Sequence, residues 1–319
     1  AALANIKSIY VDLGHPGDYI SYAKTTGKSV SVGEADSLTY TAAQVQYDNG
    51  NCLDAIRQFA DYFTKFPQGA YQIPAHFYTA ECLSQQKKWP DALGAYDFVV
   101  TQGSSAFAEK SALAASRIAY FELKQYPAAS IYFSRLKDWA TTDQNQLEAL
   151  RGLLRCQYEL QHYDTAALVA KDLLSRKGLN TDDKALGSLV TAKNLQLQQQ
   201  YDAAAIGYKT VISLNKGEWA AESRYEIAHM LLDQNNGNAA EKAAFETINK
   251  SGSYDLWVTK AYLLLGDVYD KRKDYFNAKA TFQSIAENAA IPELKKEAQQ
   301  KLDQVKQEEA QHSKIGNDQ

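Results

Sequence analysis

Residues 261–285, AYLLLGDVYDKRKDYFNAKATFQSI, decide the architecture. Ala278 is followed four residues later by Phe282 and seven later by Ile285, and Tyr275 stands three residues before it. These offsets share one face of an α-helix, so the segment reads as a helix with a single buried stripe. Tyr262, Leu265, Gly266 and Tyr269 mark an earlier helix, and Lys271-Arg272-Lys273-Asp274 is the polar turn between the two. A small residue lets the partner helix approach, and the neighbouring aromatic ring fills the space beside it.

The same pair recurs upstream. Ala55/Phe59, Ala92/Tyr96, Ala129/Phe133 and Ala204/Tyr208 repeat it; Ala166 is followed by Ala170, and Glu241/Phe245 fills the remaining slot. Positions 55, 92, 129, 166, 204, 241 and 278 are 37 or 38 residues apart. Seven residues after each lie Tyr62, Val99, Leu136, Leu173, Val211, Ile248 and Ile285. Each unit therefore has two helices joined by a short polar turn. A lone hairpin cannot bury both faces, so stability has to come from stacking on neighbours.

The order Tyr262, Leu265, Gly266, Tyr269, Tyr275, Ala278, Phe282 resembles the signature of the tetratricopeptide (TPR) repeat family. The resemblance covers about residues 36–290. It implies an all-α fold: a right-handed superhelical solenoid of about seven hairpins with a C-terminal capping helix. The units start near 36, 73, 110, 147, 185, 222 and 259. The period departs from the family's basic 34. The small residue at Gly266 is kept as Ala43, Ala80 and Ala192 but replaced by Arg117, Leu154 and His229. In the sixth unit, a slip of one residue would put Ala240 in place of Glu241. Ile9-Tyr10-Val11-Asp12-Leu13-Gly14 and Asp36-Ser37-Leu38-Thr39-Tyr40 also resemble the C-terminal part of long exported TPR proteins of Bacteroidetes, which implies a periplasmic or cell-envelope setting.

Residues 1–35 read as an N-terminal helix over 1–13, the remnant of an upstream repeat, followed by a mostly irregular segment over 18–35. The opening Ala1-Ala2-Leu3 reads as a processed or excised chain, and self-association through a truncated end stays open. Residues 291–319 read as a capping helix from Pro292, with Leu294, Ala298, Leu302 and Val305 on one side, and a disordered tail after about 310.

Composition narrows the function. A net charge of −4 gives no broad basic field for nucleic acid. No apolar run is long enough to span a bilayer. Gly27-Lys28-Ser29 is the tail of a P-loop, but its first glycine is replaced by Tyr22. The five histidines have no zinc-ligand spacing. Asp182-Asp183 and Glu308-Glu309 fall in expected loop or tail, outside any closed pocket that acid–base chemistry needs. Cys82 and Cys156 share one repeat position and read as small packing residues; a Cys52–Cys82 bridge between neighbouring units is conceivable in an exported chain. No enzyme, cofactor or metal is expected.

The TPR resemblance implies that first helices line a concave face. Carried onto this chain, the candidate partner-binding positions are Ile118, Phe121, Arg151, Arg155, Tyr158 and Lys193. Arg151 and Arg155 share a helix face, and a basic trio beside apolar side chains suits a peptide with one acidic group. The alternative is a solvated face with its charges paired to Glu122, Glu148 and Glu159. The function expected is a protein or peptide scaffold in envelope assembly or transport. Glycan binding is the second reading, and the even unit spacing leaves no room for a sugar-binding insertion between helices. The ordered Lys and Asn residues of a chaperone-binding carboxylate clamp are not reproduced.

Overall fold

The computed structural model describes the backbone of residues 2–317 and the side chains of residues 5–311. Among the described residues every regular element is helical. The order is α1 (Ala2–Asp12), α2 (Pro16–Thr25), α3 (Val32–Asp48), α4 (Cys52–Lys65), α5 (Gln72–Gln85), α6 (Trp89–Thr101), α7 (Ala108–Arg117, continued by a π-helical turn at Ile118–Glu122), α8 (Tyr126–Trp139) and α9 (Asp143–Glu159). Then come α10 (Tyr163–Leu174), α11 (Thr181–Leu197), α12 (Tyr201–Leu214), α13 (Glu218–Asp233), α14 (Gly237–Lys250), α15 (Asp255–Lys271), α16 (Tyr275–Asn288) and α17 (Pro292–Asn317). The chain divides into two compact units, Ala1–Gln161 and His162–Gln319, and inside each, helices pack mainly on their sequence neighbours.

One turn geometry recurs along the chain. A residue in the left-handed region precedes each second helix by two positions: Gly14, Gly50, Lys87, Lys124, Gln161, Gln199, Asn235 and Lys273. The next residue usually donates its N–H to a carbonyl five residues back, as in Asn51 to Gln46, Lys88 to Leu83 and Asp274 to Tyr269, at 2.8–3.0 Å. This closes the first helix by satisfying a carbonyl that would otherwise be orphaned. Six of the eight carry a side chain at about 1–2 kcal/mol of backbone strain each, so hairpin packing has to hold the turn.

The eighth turn, at Gly14, corrects the reading of the N-terminus. Residues 16–25 form a helix, α2, which packs with α1 and α3 and buries Tyr19 and Ala23. α1 is thus the first helix of a further hairpin, not the second helix of a truncated one. Its signature was hidden because Tyr19 and Ala23 reverse the usual small-then-aromatic order. The C-terminal expectation also changes, because α17 stays helical to Asn317. Asp182 and Asp183 lie in the first turn of α11, where Asp183 and Asn180 form a capping box, and Glu309 lies in α17 paired with Lys279.

Two irregular units resolve in register. In the sixth, Ala240, Ala244 and Thr247 are buried while Phe245 faces solvent, so the slip to Ala240 is the register adopted and Ala228, not His229, is the small first-helix residue. In the third, the π-helical turn inserts one residue: the Leu123 N–H reaches Ile118 and the Gln125 N–H reaches Ala119. The small position therefore moves from Arg117 to the fully buried Ser116. Two glycines let a helix lie directly on a ring: a Cβ on Gly152 would lie 2.2 Å from the Phe133 ring, and one on Gly266 2.4 Å from the Phe282 ring. The buried rings Phe59, Tyr96, Phe133, Tyr208 and Phe282 each contribute roughly 2–3 kcal/mol by leaving water.

Candidate functional site

In the first unit, adjacent first helices meet through rings. Tyr40 of α3 stacks on Tyr71 just ahead of α5 at 4.5 Å, Tyr47 of α3 meets Tyr78 of α5 at 4.5 Å, and Phe77 meets Phe107 ahead of α7 at 4.8 Å. Between them is a groove of about 390 Å3 lined by Tyr47, Phe77, Tyr78, Glu81, Phe107, Lys110, Leu113, Ala114 and Arg117. Its polar groups differ in how far they are satisfied. Glu81 accepts from the Tyr96 hydroxyl at 2.9 Å and the Tyr47 hydroxyl at 3.4 Å. Burial, then the Glu81 charge, raises the Tyr47 pKa, so that phenol stays a donor. Arg117 grips Glu148 of α9 with two hydrogen bonds, 2.5 and 2.6 Å, whereas Lys110 is exposed.

The disulfide Cys52–Cys82 joins the start of α4 to α5, one residue from Glu81. Cys52 occupies the position where Trp89, Tyr126, Tyr163, Tyr201 and Tyr275 start their helices, so a covalent bond replaces ring packing there. Cys156 is free and buried; burial and then Glu159 push its thiol up to about 12, which makes it a poor nucleophile.

The expected site residues separate on this frame. Phe121 is 49 % exposed and packs edge-on against Tyr120 at 4.8 Å, on the π-helical turn. Burial, followed by Glu159, pushes the Tyr120 hydroxyl up to about 12, while Arg155 acts against it. Arg151, Arg155 and Tyr158 are half-buried on α9. Ile118 is 5 % exposed and belongs to the core, so it offers no surface. Lys193 is likewise withdrawn: 8 % exposed, it pairs with Glu222 at 2.6 Å and Glu226 at 2.8 Å. The basic trio thus loses Lys193.

Lys193 belongs to a polar core of the second unit. Burial lowers its pKa, but Glu226 and Glu222 outweigh that and the net shift is upward. Gln196 donates to Glu226 at 3.1 Å and accepts from the Tyr208 hydroxyl at 2.5 Å, and the ammonium lies 5.0 Å from the Tyr163 ring. Sequence reading missed both this cluster and the aromatic groove. Each joins residues 29 to 33 apart, such as Tyr47 with Tyr78 and Lys193 with Glu222 and Glu226, and a search at 37 does not align them.

Among the described residues no group of three or more His, Cys, Asp or Glu is placed to hold a metal, and no helix is long and apolar enough to cross a membrane. No family model matches the sequence, and no curated protein is similar to it. Solved structures are similar at low identity. A tetratricopeptide repeat protein from Parabacteroides merdae is 15% identical with a TM-score of 0.44, over 85% of this chain and 98% of that one. YrrB, described as a TPR protein with an unusual peptide-binding site, is 16% identical with a TM-score of 0.44, over 63% and 95%. Yeast Tom70 is 14% identical with a TM-score of 0.45; the match spans 95% of this chain but 59% of Tom70. The repeat is visible within the chain: a left-handed residue stands two positions before a helix start eight times, at 36–38 residue intervals, and small residues nest against rings in most of the helix pairs inside each unit. The chain is a tandem array of helical hairpins, and its repeat resembles that of tetratricopeptide proteins.

Proposed function

We propose that this chain is a non-enzymatic scaffold that holds a protein or peptide against the first helices of its N-terminal unit. The groove across α3, α5 and α7 carries this reading: aromatic walls that bury apolar side chains, with exposed Lys110 at the rim to meet an acidic group. Arg151, Arg155, Tyr158 and Phe121 extend the contact surface within the same unit. The rings are held by packing against one another, tilted or edge-on, so binding them costs little side-chain entropy. A role in cell-envelope assembly or transport is part of the proposal. The Cys52–Cys82 bridge supports an oxidising compartment, since such bonds persist outside the reducing cytosol.

The test is capture of partners from the parent cells by the purified chain, followed by titration of the captured protein or its peptides. Phe107→Ala with Lys110→Glu is expected to weaken binding by about 2 kcal/mol or more, roughly thirtyfold. Arg151→Glu with Arg155→Glu is expected to weaken it less. Background-level capture, or affinity unchanged by both double variants, would sink the proposal.

A further inference from the structure

The second unit carries a different cavity, one that the scaffold reading does not use. A groove of about 570 Å3 runs along the last hairpin, lined by Val258, Thr259, Tyr262 and Tyr269 of α15, residues of α16 from Asn277 to Asn288, and Ala289. Its α15 wall lies on the side of that helix away from Trp257 and Lys260, which pack towards Tyr225 of α13. Its volume is in the range that takes a small ligand or a few sugar rings.

Three observations define its chemistry. First, 23% of the chain is Asp, Glu, Lys or Arg, yet no such residue lines this groove. Second, its hydrogen-bonding capacity is largely unspent. Thr281 donates to the Asn277 carbonyl, Asn277 to Asp274 and Asn288 to the Ser284 carbonyl. That leaves the Asn277 and Asn288 amide oxygens and the Thr259, Tyr262 and Ser284 hydroxyls without a partner among the described residues. Tyr269, at one end, donates to Glu241. Third, Tyr262 is 41 % exposed and presents a ring beside those groups.

The composition is particular to this hairpin. Asn277, Ala280, Thr281, Ser284 and Asn288 sit at helix positions that the first full repeat fills with Asp54, Arg57, Gln58, Asp61 and Lys65. The fifth fills two of them with Ile206 and Leu214, and the sixth has Lys242, Glu246 and Lys250. Charge would select an ion, and aliphatic bulk would select an apolar surface. Uncharged amides and hydroxyls beside an aromatic ring select a ligand whose groups both donate and accept while one face stays apolar.

We propose that the groove of the α15/α16 hairpin binds a neutral oligosaccharide. Tyr262 stacks on the C–H face of one ring, and Thr259, Ser284, Asn277 and Asn288 exchange hydrogen bonds with its hydroxyls. No inserted loop is needed, because the binding wall is the helix surface.

The experiment is isothermal titration of the full chain with maltohexaose, cellohexaose and chitohexaose, and with hexagalacturonate as an anionic counterpart. Saturable binding of at least one neutral hexasaccharide, weakened about tenfold or more by Tyr262→Ala and abolished by Ser284→Glu, is the expected result. Ser284 is exposed, so its replacement leaves the hairpin folded, and circular dichroism of each variant verifies this. Lys110→Glu, in the other unit, leaves sugar binding unchanged, which separates this site from the scaffold groove. Absence of neutral-sugar binding, binding of hexagalacturonate alone, or affinity indifferent to both Tyr262→Ala and Ser284→Glu overturns the proposal.

Discussion

The interfaces α3/α5 and α11/α13 are built on the same lattice of positions and filled with opposite chemistry. Tyr47 and Gln196 each stand eight residues before the small residue of their own unit, and Tyr78 and Glu226 fourteen before that of the next. In the first unit the pair is two rings packed at a tilt, whereas in the second it is an amide bonded to a carboxylate, with Lys193 bridging Glu226 and Glu222. Even the neighbouring contact is conserved in place: Tyr47 reaches Glu81 at 3.4 Å, and Gln196 approaches His229 at 3.5 Å. The backbone repeat thus specifies where neighbouring first helices touch without specifying how. Rings leave an apolar groove open to a partner, while buried ions spend their interactions on one another.

The largest expected effect tests the ionic side. Lys193→Met removes the buried ammonium that pairs with Glu222, 2 % exposed, and with Glu226, and should cost about 3–5 kcal/mol in urea unfolding. The matching change at the rings, Tyr78→Leu, strands no charge and should cost about 1–2 kcal/mol. Equal losses would show that the two interfaces are energetically alike.

The disulfide gives the next effect. Cys52→Ser with Cys82→Ser, or reduction of the wild type, should lower stability by about 2–4 kcal/mol. The loss should fall on the first unit, so hydrogen exchange in α4 and α5 should rise while exchange in α11 and α13 stays constant. A uniform rise along the chain would contradict the division into two units.

Packing comes third and should not distinguish the units. Gly152→Ala and Gly266→Ala each drive a methyl into a buried ring, and each should cost about 1–3 kcal/mol by thermal melting. If either is neutral, the nesting of small residue against ring is looser there than its geometry indicates.

The smallest effect is a pH response confined to the aromatic side. His76 lies between Phe63 at 4.1 Å and Phe98 at 3.8 Å, and burial lowers its pKa to about 4. The folded state prefers the neutral ring, so its contribution is complete above the ordinary value near 6.5 and is lost as pH falls towards 4. Allowing for solvent screening of a part-exposed ring, the loss is about 1–2 kcal/mol. His76→Phe should flatten that stretch of the stability–pH curve, and an unchanged slope would assign the acid response elsewhere.

Sequence alone determined the hairpins, their number to within one, and the small and aromatic positions of the second helices. These depend on offsets inside a single helix, which the chain carries with it. It also marked Cys52 and Cys82 as able to meet, and Phe121, Arg151, Arg155 and Tyr158 as surface candidates. Only tertiary structure decided which cations are spent, because Lys193 meets its carboxylates across about thirty residues. The same is true of the groove made by Tyr47, Tyr78 and Phe107, the π-helical turn that moves the small position to Ser116, and the extra hairpin at Tyr19. Contacts between successive first helices depend on stacking, and stacking distances do not follow the repeat length.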